Sequence, residues 1–165
     1  MDAYEKMGKL GEGTYGVVYM ARDRRTEEFV ALKRVRTDSQ EKRSGFPVTS
    51  IREIKILQNL DHLNIISLRE VVRSKQVGFV FLVFEYFEHD LASLVDHSEY
   101  AAFSISEVKC IMKQILSAIK YAHSHYVIHR DIKLSNILLN NHGTTSFLYF
   151  IFDLVIISIA HFYVI

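Results

Sequence analysis

Apolar and polar positions keep two different rhythms along this chain. Residues 8–20 alternate around glycines, and residues 29–35 alternate with charges, as half-buried strands do. Residues 23–28 between them are polar and turn-like. Gly45-Phe46-Pro47 then punctuates the chain, and Pro47 suits the first turn of a helix running to about Leu60. On that helix Glu53 and Leu57 stand four residues apart and share a face. Residues 79–86 form an apolar, aromatic run suited to a buried strand. Ser104-Ile105-Ser106-Glu107 has capping-box spacing. It opens a helix on which Val108, Ile111, Met112, Ile115, Leu116 and Ile119 recur at three and four residues, an amphipathic stripe. Residues 137–139 read as a short strand, with 140–143 as its turn. The first third is therefore expected to be a small twisted sheet with one helix.

Composition narrows the function classes. A chain of 165 residues fits one ordinary domain and can bury a core. Twenty basic and nineteen acidic residues are interspersed, so nothing suggests a nucleic-acid-binding surface. Cys110 is the single cysteine, so no internal disulfide forms and a reducing compartment is expected. Its place on the expected helix predicts a buried thiol rather than a reactive one. The N-terminus is polar and lacks an apolar signal core, which argues against secretion. Charges recur through Lys133, whereas residues 144–165 hold only Asp153, and this places a boundary near Gly143.

The chemistry concentrates in His129-Arg130-Asp131-Ile132-Lys133-Leu134-Ser135-Asn136. An Asp and an Asn five residues apart can serve one phosphoryl-transfer site, Asp131 accepting the proton of a hydroxyl and Asn136 holding magnesium on nucleotide phosphates. His129 reads as a packed scaffold histidine rather than a base. Upstream, Gly11-Glu12-Gly13-Thr14-Tyr15-Gly16-Val17-Val18 matches G-x-G-x-x-G-x-V, where glycines let backbone amides approach phosphates. That motif alone also fits a glycine-rich hairpin or a dinucleotide fold. A dinucleotide fold needs a helix at the third glycine, but here a second strand follows, carrying Val30-Ala31-Leu32-Lys33. Singly, Lys33 reads as a solvated strand lysine and Glu53 as a surface carboxylate. Five elements in the right order overturn those separate readings.

With these motifs in place the sequence resembles the eukaryotic protein kinases, and within them the transcription-associated cyclin-dependent kinases. Gly45-Phe46-Pro47-Val48-Thr49-Ser50-Ile51-Arg52-Glu53 is similar to that family's cyclin-binding helix signature, and Phe84-Glu85-Tyr86-Phe87-Glu88-His89-Asp90-Leu91 to its hinge. The resemblance implies an α+β fold: a kinase N-terminal lobe over residues 4–86, a hinge and partial, mainly helical C-terminal lobe over 87–143, and an apolar non-kinase-like tail over 144–165. It implies ATP and Mg2+ as cofactors, with Lys33 on the alpha and beta phosphates and paired to Glu53. Leu10 and Val18 would cover the adenine, Ala31 flank it and Leu138 floor it. Phe84 would be the gatekeeper, Glu85 and Phe87 would bond the base through their backbone, and Asp90 would reach the ribose. Lys133 resembles the serine/threonine class, where it steadies the transferred phosphate. Thr14 and Tyr15 match inhibitory phosphorylation positions, where added charge would repel the nucleotide phosphates. Arg130 and Arg52 resemble the arginines that clasp a phosphorylated activation loop.

The resemblance also fails at one point. In the family a metal-binding Asp-Phe-Gly lies thirteen residues beyond the loop Asn, a count that here lands on Tyr149-Phe150-Ile151. Tyr149 is a poor ligand for a hard cation, which favours carboxylate oxygens. Asp153 stands four residues late, about 13 Å along an extended strand, against a metal bond of about 2.1 Å. The expected function is thus a cyclin-dependent-type serine/threonine kinase in a truncated, inactive form, with a non-catalytic cyclin- or nucleotide-binding protein as the alternative. The implied partners are cyclin and proteins with Ser/Thr-Pro sites, without direct nucleic-acid binding, in nucleus or cytoplasm. Residues 146–165 admit three readings: a terminal sequence unrelated to kinase function, a membrane anchor of bilayer-spanning length, or a buried strand pair patching an exposed core.

Overall fold

The computed structural model describes residues 1–13, 16–35, 48–74, 79–97, 102–147 and 155–156. The chain divides into two units, Met1–Asn59 with Ser67–Tyr86, and Leu60–Ile66 with Phe87–Ile165.

In the first unit the alternating segments become β1 (Tyr4–Gly13), β2 (Gly16–Asp23) and β3 (Phe29–Val35), joined by β4 (Leu68–Arg73) and β5 (Val80–Glu85). They form one antiparallel sheet in the order β1-β2-β3-β5-β4. Strand alternation sorts β3 into two faces. Val30 and Leu32 join Tyr4, Ala21, Phe81 and Val83 in a buried apolar cluster, whereas Ala31 and Lys33 fall on the other parity. Helix α1 (Val48–Asn59) follows in the chain, close to its expected span. At one end of the sheet a polar knot forms: Tyr4 donates its hydroxyl hydrogen to Glu70, and Arg25 donates to Tyr4 (2.6 Å), to Asp23 (2.6 Å) and to Glu70 (2.5 Å).

In the second unit the hinge run yields β6 (His89–Asp90) and the short helix α2 (Leu91–Asp96). Helix α3 (Ile105–Ser124) opens at Ser104 with the expected capping box, Ser104 Oγ accepting from the Glu107 N–H and the Glu107 carboxylate accepting from the Ser104 N–H. Strands β7 (Val127–Ile128), β8 (Ile137–Leu139), β9 (Thr145–Phe147) and β10 (Val155–Ile156) complete it. Strands β8 and β9 pair across the predicted turn, so the charge boundary at Gly143 falls inside a hairpin. Of the apolar segment 146–165, Ser146 and Phe147 belong to β9, while Val155 and Ile156 pair with β7; the remainder lies outside the described residues. No helix among the described residues is long and apolar enough to cross a membrane.

Helix α3 buries only part of its stripe. Ile115, Ala118 and Ala122, toward its C-terminal half, are buried, whereas Ile105, Val108, Met112 and Leu116 are 44% to 75% exposed. The same asymmetry corrects the expectation for Cys110. Its thiol is exposed, because residues 105–110 precede the stretch that packs toward β7 and β9.

Segment Leu60–Ile66 is fastened to α3 by polar contacts absent from the sequence reading. The Asp61 N–H donates to the Tyr121 hydroxyl (3.1 Å), and the His62 ring meets Ser117 Oγ at 3.1 Å. Buried Asn64 donates to Gln114 Oε1 (2.9 Å) and to the Thr145 carbonyl (2.8 Å).

Candidate active site

The catalytic-loop residues are assembled within the second unit. After β7 the chain turns through Arg130, which adopts φ 67°, a left-handed conformation that a non-glycine residue holds only under local constraint. The constraint is visible on either side. Buried His129 accepts the Asp131 N–H at Nδ1 (3.2 Å), a scaffold role matching its expected one. Asn136, 1% exposed at the end of a short 3-10 turn, donates Nδ2 to the Asp131 carbonyl (2.7 Å) and to Asp131 Oδ2 (3.0 Å). Lys133 Nζ lies 2.9 Å from the same Oδ2.

The hydrogen bond from Lys133 holds the Asp131 carboxyl below the usual carboxylate range, with Asn136 adding to the effect. Asp131 is therefore a carboxylate near neutral pH, able to accept a proton. Both hydrogens of the Asn136 amide are used on Asp131, which leaves its Oδ1 as an oxygen ligand of the kind magnesium prefers. Among the described residues no group of three His, Cys, Asp or Glu converges as a metal cage.

The nucleotide-side residues lie chiefly in the first unit. Lys33 is 3% exposed, opposite Val18 on β2 and Leu82 on β5. Burial thus replaces the solvated-lysine reading. Ala31 stands opposite Phe84, which is 2% exposed. Val18 stands opposite Gly11. Leu10 is exposed, and Glu12 pairs with Lys9 at 2.6 Å. The Glu85 carboxylate accepts the Ser67 N–H (2.9 Å). Strand β1 ends at Gly13, while Thr14, Tyr15, Pro47, Tyr149 and Asp153, and the side chains of Arg52 and Glu53, lie outside the described residues.

The loop's glycines separate into two kinds. A Cβ on Gly16, whose φ is +131°, would come within 2.2 Å of the Arg34 carbonyl oxygen, so the sheet itself demands glycine there. A Cβ on Gly11 would meet nothing within 4 Å. Among the described residues, the packing does not require glycine at 11.

Phe87, Asp90 and Leu138 belong to the second unit. Asp90 is the register partner of Leu138. Its carboxylate already caps α2, accepting from the Ser93 N–H (2.9 Å) and the Ser93 hydroxyl (2.6 Å). Sequence reasoning overlooked Gln114, which donates to the Gly143 carbonyl (3.0 Å) and accepts the Thr145 N–H (2.9 Å), steadying the hairpin after the loop. The only signal was a polar residue between the apolar Ile111 and Ile115.

A five-stranded antiparallel sheet with a buried lysine, and a loop clamping an aspartate between an asparagine and a lysine, define the architecture of a protein-kinase N-terminal lobe with part of a C-terminal lobe. Comparison with known families agrees: the chain belongs to the protein kinase domain family, which matches residues 4–155. Similar curated proteins include cyclin-dependent kinase C-1 of Oryza sativa subsp. japonica, 46% identical over 158 residues that cover 87% of this chain and 30% of that protein. Probable cyclin-dependent kinase 10 of Dictyostelium discoideum is 50% identical over 141 residues, covering 86% and 38%. Cyclin-dependent kinase 10 of Mus musculus is 48% identical over 140 residues, covering 85% and 38%. The chain thus spans between 30% and 38% of the length of these relatives.

Proposed function

We propose that this chain carries the nucleotide and catalytic-loop machinery of a cyclin-dependent-type serine/threonine protein kinase. The carrying observation is the clamp in which Asn136 and Lys133 both reach Asp131 Oδ2. ATP with Mg2+ supplies the transferable gamma phosphoryl group and the charge neutralisation that its transfer needs. In a complete kinase of this type Asp131 would receive the proton of a protein Ser or Thr hydroxyl, Lys133 would steady negative charge beside it, and Asn136 would offer Oδ1 to the metal. Lys33, oriented by Glu53, holds the alpha and beta phosphates over the backbone of residues 11–16. Within the first unit, Leu10, Val18, Ala31 and Phe84 would contact the base, with the Glu85 backbone bonding it; the family resemblance assigns Phe87 and Leu138 of the second unit to the same ligand. Asp90 can reach a ribose only by sharing a carboxylate that already caps α2. The relatives' names carry the words cyclin-dependent, which makes a cyclin the proposed partner of α1; protein substrates and a nuclear or cytoplasmic place belong to the same proposal.

Tyr149 stands where the count from Asn136 requires a metal-binding carboxylate. We therefore expect this chain by itself to bind nucleotide without transferring phosphate, and to act, if it engages cyclin through residues 45–60, as a non-catalytic competitor. The test is incubation of purified chain with cyclin and radiolabelled ATP, beside a direct nucleotide-binding titration. Binding weakened by Lys33→Met, with no label transferred, supports the reading. Reproducible incorporation abolished by Asp131→Asn would replace it with an active kinase. Absence of both nucleotide binding and cyclin retention would remove it.

A further inference from the structure

The sheet face that buries Val30 and Leu32 continues along β3 to Arg34, and there its character changes. Lys6 Nζ sits 4.1 Å from the Tyr19 ring centroid and 4.3 Å from that of Phe81. Phe81 is in turn the cross-strand partner of Arg34, whose guanidinium lies 5.3 Å over the Phe79 ring. The two cations thus lie over neighbouring rings on one sheet face, Lys6 over Tyr19 and Phe81 and Arg34 over Phe79. Elsewhere in this unit Lys9, Arg22, Arg24, Arg25 and Arg69 each pair with a carboxylate. Lys6 and Arg34 meet no carboxylate within ion-pair distance among the described residues, and the Arg34 Nε–H is buried without an acceptor.

Physical chemistry makes this arrangement unfinished. Ring faces attract cations, but they accept no strong hydrogen bond. A buried donor without an acceptor is destabilising, and an anion that accepts from it relieves that cost. Partial desolvation, and then the charge of Arg34, hold the Lys6 ammonium below its usual pKa. Phe81 is 3% exposed, so the platform between them is fixed by the core.

We propose that Lys6 and Arg34 form a phosphoryl-binding site on this sheet face, separate from the nucleotide loop. The chemical class is a dianionic oxyanion, since two adjacent positive charges are balanced by two negative ones and Arg34 offers Nε–H in a donor fork suited to phosphate. The phosphoryl group comes either free in solution or on a phosphorylated side chain. The shared chemistry is the same, and the source is a matter for measurement.

The test uses the whole chain and two probes, inorganic phosphate and a short phosphoserine peptide, with the unphosphorylated peptide as control. The Arg34 Nε–H resonance in a proton–nitrogen correlation spectrum reports directly on the orphan donor. It is expected to move and saturate with millimolar phosphate. Lys6→Met and Arg34→Met are each expected to weaken binding by about tenfold or more, as loss of a charge-assisted hydrogen bond implies. Lys6→Arg retains binding, and Lys33→Met leaves this resonance responsive, which separates the site from the nucleotide reading. Tighter binding of the phosphopeptide than of phosphate assigns the source to a modified side chain; equal binding assigns it to free phosphate. An Arg34 resonance that does not move in the unmodified chain overturns the proposal, whether or not the methionine variants fold. So does equal binding by folded Lys6→Met.

Discussion

The side-chain amide of Asn136 spends both of its hydrogens on one residue, reaching the carbonyl of Asp131 at 2.7 Å and its carboxylate at 3.0 Å. Asn136 is therefore a structural brace as well as a candidate metal ligand. Asn136→Ala is expected to lower unfolding free energy by about 1–3 kcal/mol, the range for stranding buried partners. Asn136→Asp places a second carboxylate against Asp131 Oδ2, so its penalty should be larger at neutral pH than at about pH 4, where protonation relieves the repulsion. Urea unfolding of both variants at the two pH values checks this; equal losses would remove the brace.

The knot around Arg25 sets an acid limit on the first unit. The hydrogen bond from Arg25 holds the Asp23 carboxyl down at about 2, and Tyr4, then Arg25, lower that of Glu70. Groups depressed in the folded state stabilise it above their unfolded pKa, and that stability is lost as pH falls through the folded value. Unfolding midpoints should thus drop between about pH 4 and about pH 2. Asp23→Asn should be less stable at pH 6 and show a flatter acid limb. An unchanged limb would place the acid sensitivity elsewhere.

Two glycines of one motif should respond differently to the same substitution. Gly16→Ala drives a methyl into the Arg34 carbonyl oxygen and strains a positive φ, with an expected loss of about 2–4 kcal/mol. Gly11→Ala should leave melting temperature nearly unchanged while weakening nucleotide binding. Thermal melts with and without ATP distinguish the two effects, and destabilisation by Gly11→Ala would return that glycine to a purely structural role.

A substitution in β9 should stabilise. The Thr145 hydroxyl is buried without a hydrogen-bond partner among the described residues, and valine matches the side chain in shape while removing the stranded group. Thr145→Val is expected to add about 0.5–1 kcal/mol. A loss on denaturant unfolding would reveal an acceptor or water that the hydroxyl serves.

Local rules carried much of the architecture. The β3 alternation, the capping box at Ser104 and the turn before Thr145 all depend on neighbours within a few residues, and each is visible in sequence. Motif spacing likewise located Asp131 and Asn136. Contacts between distant segments were not legible. Nothing in the order of residues announces that Gln114 will hold the hairpin or that Asn64 will reach the Thr145 carbonyl. The error at Cys110 has the same root, since helical periodicity names a face but not whether another element arrives to cover it.

That uncovered face has a consequence beyond geometry. Ile105, Val108, Met112 and Leu116 present a row of large side chains to water along α3, the sort of surface that chaperones grip and that favours association between molecules. Its steady-state amount in a cell then depends on proteostasis, on how quickly such a row is captured or degraded, as well as on the rate at which the chain is made.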